Sequence, residues 1–304
     1  MAKRKKKTSG LKTLAFMLVI ILGAVLIAYN MQNKDSNNEV NTNSNNNVSN
    51  VVNVVNNKVV VEKNWKDTVN EKSREELIKE RGTLDSLPVL MYHFFYDDET
   101  YWKQDNNWLK VTDFEEQLKY MREENFYFPT WDEVEDFIDG KISLPDKSVV
   151  LTVDDGDDSF FDLAVPLLKK YKIPATSFVV CEWYGWKYDE NLEYVNWESH
   201  SYSMHEGGAN GKGKMVNLSK DEIVDDLNKS TRELGGKATI YCYPFGHYND
   251  TAIEALKEAG YKLAFTIEGG RVEKGDNKYL LTRVRVSDGN SLGYFKGCIN
   301  WRIT

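Results

Sequence analysis

Ser148-Val149-Val150-Leu151-Thr152-Val153-Asp154-Asp155-Gly156 is the stretch that decides how the chain is read. The run to Val153 has the length and β-branched content of a short buried strand, and it ends in two adjacent carboxylates and a glycine. Neighbouring side chains of a strand point to opposite faces. A glycine at the frayed end lets the chain turn sharply, so both carboxylates can reach one cavity. Two acids side by side repel each other unless a positive charge neutralises them. A metal ion bound to one would leave the other free as a base. A helix N-terminus is the competing reading, because Asp157-Asp158-Ser159 follow and acids suit both a cap and the helix dipole. On this stretch alone both readings stand.

Outward from it, strand signals recur at 89–95, 175–180, 239–243, 263–267 and 280–286. Helical spacing falls between them. Thr112 is the expected cap of a helix over 112–124 with Phe114, Leu118 and Met121 on one face, and others are expected over 131–139, 159–171 (kinked near Pro166), 218–234 and 250–259. Strands alternating with helices make an α/β fold with a largely parallel sheet. No G-x-G-x-x-G fingerprint is present, which favours a distorted (β/α) barrel of about seven strands over an open nucleotide-binding sheet. Side chains at the C-terminal ends of barrel strands converge on one mouth, and Asp154-Asp155 sits at such an end.

The 304 residues carry a net charge of −8, unevenly spread. Residues 1–12 hold six lysines and arginines and no acid, leaving −14 on the rest. An acidic body argues against a nucleic-acid partner, which needs a basic face. The basic cluster precedes an unbroken apolar run of 17 residues at 13–29. Leu26-Ile27-Ala28 is a poor cleavage site, so an uncleaved transmembrane anchor is expected rather than a signal peptide. The positive-inside rule would then place the protein in the cell membrane, single-pass, with its body extracellular. An Asn-rich, disordered tether is expected over 30–60, although Val51-Val52-Asn53-Val54-Val55 has weak strand character. A peripheral helical segment follows over 61–86, and the main folded domain over 87–304. Cys181, Cys242 and Cys298 allow at most one disulfide and form no C-x-x-C pair. No obligate protein partner is evident.

Two of the four histidines, His200 and His205, fall in one polar stretch. A lone histidine is usually structural; two within five residues of a His-poor chain point to a shared ligand. Their spacing puts them about 140° apart on an ideal helix, so a common metal must be reached from a loop or distorted turn. With one carboxylate they make a His-His-Asp set with an open fourth position, as in catalytic zinc sites.

These residues also match a family. Thr152-Val153-Asp154-Asp155-Gly156 is similar to the T-F-D-D-G motif of the polysaccharide deacetylases of carbohydrate esterase family 4. His200-Ser201 followed by His205 is similar to its H-[S/T]-x-x-H motif with the second histidine one residue late. Tyr243-Pro244-Phe245-Gly246 carries its Pro-aromatic-Gly core. The chain resembles that family over about 87–286. The resemblance implies Asp154 as general base, Asp155, His200 and His205 as ligands of a divalent metal, and the Phe245 backbone N–H as oxyanion donor. Zinc is the first candidate, with cobalt and nickel compatible with the same ligands.

The chain departs from the commoner pattern in lacking a late L-x-H motif, a D-x-x-D-W motif and the arginine of the third motif. Leu90-Met91-Tyr92-His93 instead resembles the poly-N-acetylglucosamine deacetylase branch, where a Tyr-His pair on the first strand faces the site. His93 is therefore the expected general acid and His247 the weaker alternative. Arg283 either orients Asp154 in place of the missing arginine or is a surface residue. Met204 is an extra residue between the histidines. The segment 182–199 is short, so one barrel helix is expected to be reduced. Its aromatics, Trp183 and Trp186 among them, either stack on sugar rings, with Tyr243, or pack in place of the helix. Gly208-Ala209-Asn210-Gly211-Lys212-Gly213-Lys214 has phosphate-loop spacing, but Met215 replaces the required Ser/Thr and no strand leads in.

The expected function is a membrane-anchored, extracellular, metal-dependent N-deacetylase acting on N-acetylglucosamine polymers. A surface carbohydrate-binding protein with a decayed site and an acetyl xylan esterase are the alternatives. A glycoside hydrolase is disfavoured, because its two acids stand roughly 5–9 Å apart across the bond and adjacent residues on one turn seldom do.

Overall fold

A computed structural model describes residues 51–55, 58–62 and 65–300. Seven strands close a barrel, here numbered β1 (Val89–Tyr92), β2 (Val150–Val153), β3 (Ala175–Val179), β4 (Val195–Ser199), β5 (Ile240–Cys242), β6 (Leu263–Gly269) and β7 (Leu281–Arg285). Each neighbour is the next in sequence, β7 returns to β1, and every pairing is parallel. Parallel neighbours need crossovers long enough to return to the same end. Helices α2 (Val111–Glu123) and α3 (Trp131–Ile138) serve β1–β2, α4 (Val165–Tyr171) serves β2–β3, α5 (Lys220–Glu233) β4–β5 and α6 (Asp250–Glu258) β5–β6. Outside this order, α1 (Arg74–Arg81) precedes the barrel and α7 (Leu292–Asn300) follows it.

Period-two alternation sorts the strand residues into two cores. Val89, Val150, Phe178, Ile240, Cys242, Leu263, Phe265 and Leu281 share the core that fills the barrel. Leu90, Tyr92, Leu151, Val153 and Ala175 point outward and pack on Phe114, Leu118 and Leu168 of the helical layer. Tyr241 and Tyr243 face Ile223, Leu227 and Leu256. Capping boxes start α3 and α5: Thr130 with Glu133, and Ser219 with Glu222.

Several expectations are corrected here. Thr112 is not a cap, since α2 begins at Val111 after Lys110, which makes no side-chain cap bond. The helix kinked near Pro166 is a π-helical stretch, Phe160–Ala164, running into α4, and the wider turn accommodates a proline that has no N–H to donate. Strand β4 carries no alternating signal in Val-Asn-Trp-Glu-Ser, whereas the helix before it is reduced as expected, to Cys181–Tyr184 and a 3-10 turn, Gly185–Lys187. Residues 51–55 and 58–62 pair antiparallel, Val51 opposite Glu62 and Val55 opposite Lys58, so the end of the expected tether forms strands. No helix among the described residues is long and apolar enough to cross a membrane. That finding corrects the single-pass, extracellular placement; the expected anchor at 13–29 and the basic segment 1–12 lie outside the described residues. All three cysteines are free.

The barrel is least tightly joined between β4 and β5, where one residue pair, Ser199 with Tyr241, makes the link. Below that pair the amides of Thr239 and Ile240 donate to Glu198 Oε2, each at 2.8 Å. Burial pushes the Glu198 carboxyl up to about 8, against the opposing pull of those two amides. A carboxyl whose folded-state pKa is raised stabilises the fold fully below its ordinary value of 4.5 and loses that contribution as pH rises through about 8. Glu198→Gln keeps an acceptor for both amides and cannot ionise. Urea denaturation across that window is expected to show the wild type losing stability relative to Glu198→Gln; parallel pH profiles would contradict the assignment.

Candidate active site

The barrel mouth is built from turns that leave the strand ends. After β2, Asp154 continues the inward alternation of Val150 and Thr152 and lies buried inside the barrel. Asp155 then adopts a left-handed conformation (φ 73°), as does Gly156 (φ 79°). Gly156 is needed there, because a Cβ would also stand 3.1 Å from Val179 Cγ1. The strained turn is held by the Gly156 amide donating to Asp154 O and the Val180 amide donating to Asp155 O. The two carboxylates therefore diverge. The helix-capping role falls to Asp157, whose Oδ1 accepts from the Ser159 amide at 2.8 Å.

Asp154 belongs to a buried ion pair. Arg283, on β7 and fully buried, donates to Asp154 Oδ1 from one terminal nitrogen and to Oδ2 from the other, both at 2.7 Å. Its remaining donors reach Thr266 O (3.1 Å), Thr152 Oγ1 (3.0 Å) and Cys242 Sγ (2.9 Å). Burial alone would raise the Asp154 carboxyl; the guanidinium overrides it and holds Asp154 well below the usual carboxylate range. His93 follows β1, and its Nε2 stands 3.7 Å from Asp154 Oδ2. Burial lowers the His93 pKa, opposed by Asp154 and assisted by Arg283 and Arg285. Tyr92, expected beside His93 at the site, instead points outward and donates to Gln117 Oε1 at 2.8 Å.

Asp155 faces the histidines. Its Oδ1 is buried with no hydrogen-bond partner, 3.5 Å from His200 Nε2 and 3.4 Å from His205 Nε2. His200 follows β4, and its Nδ1–H donates to Cys242 O at 2.8 Å, which leaves Nε2 as a lone-pair nitrogen turned toward a carboxylate oxygen. Burial drives the His200 pKa down to about 3, so the imidazole is neutral. Burial and the charges of Asp154 and Asp157 push Asp155 up to about 7. Three ligand atoms that repel or ignore one another, all within 4.8 Å, fit a divalent cation.

The extra residue between the histidines is absorbed by the turn. Ser201 is left-handed (φ 81°), and Met204 is buried in the outer core beside Met215 and Ile223. The carboxylate of Asp226, on α5, accepts from the amides of Tyr202 and Ser203 and from the Ser203 hydroxyl at 2.7–3.0 Å. The two imidazole centroids end 4.9 Å apart.

Phe245 is also left-handed (φ 59°), its ring 40% exposed and 4.3 Å from that of His205. The next two amides, of Gly246 and His247, close the turn onto Tyr243 O and Pro244 O, while no described acceptor takes the Phe245 amide. Trp183, 42% exposed, meets His205 edge-on at 5.1 Å. Trp186 is more exposed, with its Nε1 donating to Trp183 O. Tyr243 is fully buried against Tyr241 and Tyr248, because β5 alternation turns it outward into the helical layer. His247 accepts from the Gly213 amide at 2.8 Å, so the loop with phosphate-loop spacing braces the mouth.

Two participants were not singled out in the sequence. Cys242 links the pieces through its carbonyl to His200 and its thiol to Arg283, and the inward phase of 240 and 242 was the available signal. Asp226 gave none, since an acid on a charged helix face is usually solvated.

Residues 141–264 match the polysaccharide deacetylase family. The poly-beta-1,6-N-acetyl-D-glucosamine N-deacetylase of Staphylococcus aureus (strain MRSA252) is 32% identical over 193 residues, covering 58% of this chain and 66% of that protein, just under two thirds of its length. The solved structure of IcaB from Ammonifex degensii is 27% identical with a TM-score of 0.59, covering 72% of this chain and 99% of that one. The Streptococcus pyogenes deacetylase PplD in complex with acetate shares the fold at 24% identity and a TM-score of 0.61, covering 71% of this chain and 99% of that one.

The ion pair has a measurable consequence. Removing one partner of a buried pair strands the other charge, at a cost of about 3–5 kcal/mol. Arg283→Met is expected to lower the unfolding free energy by that amount in urea. A loss below ~1 kcal/mol would show that Asp154 finds another counter-charge or takes up a proton at little cost.

Proposed function

Because residues 141–264 match the polysaccharide deacetylase family, we propose that the protein is a metal-dependent polysaccharide N-deacetylase that removes acetyl groups from N-acetylglucosamine polymers. The observation that carries this reading is the split of the adjacent carboxylates. Asp154 is locked to Arg283, while the partnerless Oδ1 of Asp155 faces two imidazole nitrogens.

Asp155, His200 and His205 would hold the cation, with zinc the first candidate. When bound it supplies Lewis acidity toward an acetamide carbonyl and makes water acidic enough to deprotonate near neutral pH. The protein's own groups do the rest. Asp154 stays ionised and fixed in orientation, the state required of a proton acceptor. Its low basicity is the cost of the Arg283 pair, and the catalytic gain must come from placement. His93, 3.7 Å from Asp154 Oδ2, is positioned to take over the proton that Asp154 accepts and to pass it to the leaving amine. The Phe245 amide is the donor for the developing oxyanion. The exposed rings of Trp183 and Phe245, both in contact with His205, offer apolar faces to a pyranose. Similarity to the staphylococcal poly-beta-1,6-N-acetyl-D-glucosamine N-deacetylase favours that polymer over peptidoglycan strands or acetylated xylan.

Acetate release from those three polymers, with and without a chelator, is the deciding measurement. Release is expected from poly-β-1,6-N-acetylglucosamine first, abolished by chelation and restored by zinc. His200→Ala is expected to lose both stoichiometric metal and activity. Full acetate release by His200→Ala or by chelated protein would overturn the metal assignment. Absence of both metal and release would leave only a carbohydrate-binding role.

A further inference from the structure

We propose a second binding site at the opposite end of the barrel, for an uncharged saccharide of one or two pyranose rings. A cavity of about 450 Å³ lies there, lined by Val150 at the start of β2, Thr176 near the start of β3, Val195 at the start of β4 and Thr239 just before β5. Asp154 and His200 follow the far ends of β2 and β4, so this cavity and the mouth are separate. Its volume falls within the range of small-molecule sites, about 300–1,000 Å³. The N-terminal end of an α/β barrel ordinarily serves stability and is packed accordingly, so an open cavity there is not explained by folding alone.

Aromatic side chains from four separate segments form the walls: Trp65, Trp131, Tyr188 and Trp197. Two of the indoles are pinned by their own N–H groups, Trp131 Nε1 to Thr176 Oγ1 (3.1 Å) and Trp197 Nε1 to Asp189 O (3.0 Å). Trp65 rests on Tyr194 at 5.1 Å, and Tyr188 meets Trp197 edge-on at 5.6 Å. With those donors satisfied, the rings offer apolar surface in fixed orientations, which limits the entropy lost on binding.

Polar groups define the rest. Glu198 is 8% exposed and lines the cavity, and its Oε2 accepts the Thr239 and Ile240 amides. A wholly apolar ligand would bury that carboxyl further without offering it a hydrogen bond. The charges around it compensate one another: Lys237 pairs with Glu190 at 3.3 Å, Asp132 with Lys262 at 3.2 Å, and Lys66 acts on Glu198. The chemistry that suits flat aromatic walls, one buried carboxyl and a self-neutralised rim is a ring with C–H faces and hydroxyl edges. The site does not depend on deacetylation, since it shares no residue with the mouth.

Isothermal titration of the full chain with N,N′-diacetylchitobiose and cellobiose, against glucose 6-phosphate as the anionic control, tests the proposal. At least one neutral disaccharide is expected to bind in the millimolar range. Trp65→Ala, which removes a wall, is expected to weaken that binding about tenfold, the loss typical of an aromatic anchor. Glu198→Gln keeps an acceptor for the two amides and so guards against misfolding; it is expected to weaken binding severalfold with its melting temperature at pH 5 retained. Failure of both disaccharides to bind would overturn the proposal. So would unchanged binding in both variants, which would assign the ligand to the mouth, or tighter binding of glucose 6-phosphate.

Discussion

The pairing of Arg283 with Asp154 inside the barrel is the constraint around which the mouth is arranged. An isolated charge in that interior would cost several kcal/mol, so each ion requires the other and both require hydrogen bonds to their remaining positions. The guanidinium meets this by reaching Thr152 and Asp154 on or beside β2, Cys242 on β5 and Thr266 on β6, from its own place on β7. One side chain thus ties four strands at a single level. The same bonds commit Asp154 to the barrel axis, so Asp155 is the acid of the pair that turns toward the histidines.

The second feature of the mouth is where its backbone strain lies. Asp155, Ser201 and Phe245 all occupy the left-handed region, and each stands in or beside one of the turns that follow β2, β4 and β5. Such residues cost of order 1–3 kcal/mol each and persist when the surroundings over-determine them. Here the surroundings are identifiable. The Val180 amide donates to the Asp155 carbonyl, and the Asp226 carboxylate grips the loop after Ser201. At Gly246 a Cβ would fall 2.4 Å from Ile267 Cγ1, so the turn at Phe245 requires the glycine after it. The strain directs ligand atoms and an amide toward one point, which regular strand ends cannot do.

The two ends of the barrel have been used differently. At the mouth, charge is concentrated and compensated internally. At the other end, β4 and β5 barely pair, and Glu198 supplies by side chain the acceptors that a neighbouring strand would have provided. Loose pairing there leaves both a buried carboxyl and the space beside it.

Periodicity and turn chemistry in the sequence were sufficient for the parallel α/β barrel, because apolar alternation and helical spacing are local consequences of burial. Three short motifs in order, around Asp154-Asp155, His200-Ser201 and Pro244-Phe245-Gly246, were sufficient to nominate the site residues. Strand β4 escaped, since Val-Asn-Trp-Glu-Ser places polar residues where only a gap in the barrel makes them acceptable. The direction of each side chain also escaped. Whether Tyr92 and Tyr243 face the mouth, whether Arg283 is a surface residue, and whether the late His205 reaches its partner depend on strand phase and on loops clamped by residues distant in sequence. Those contacts join positions some 20 to 130 residues apart. A sequence records which groups are available, and only closure of the barrel decides which of them meet.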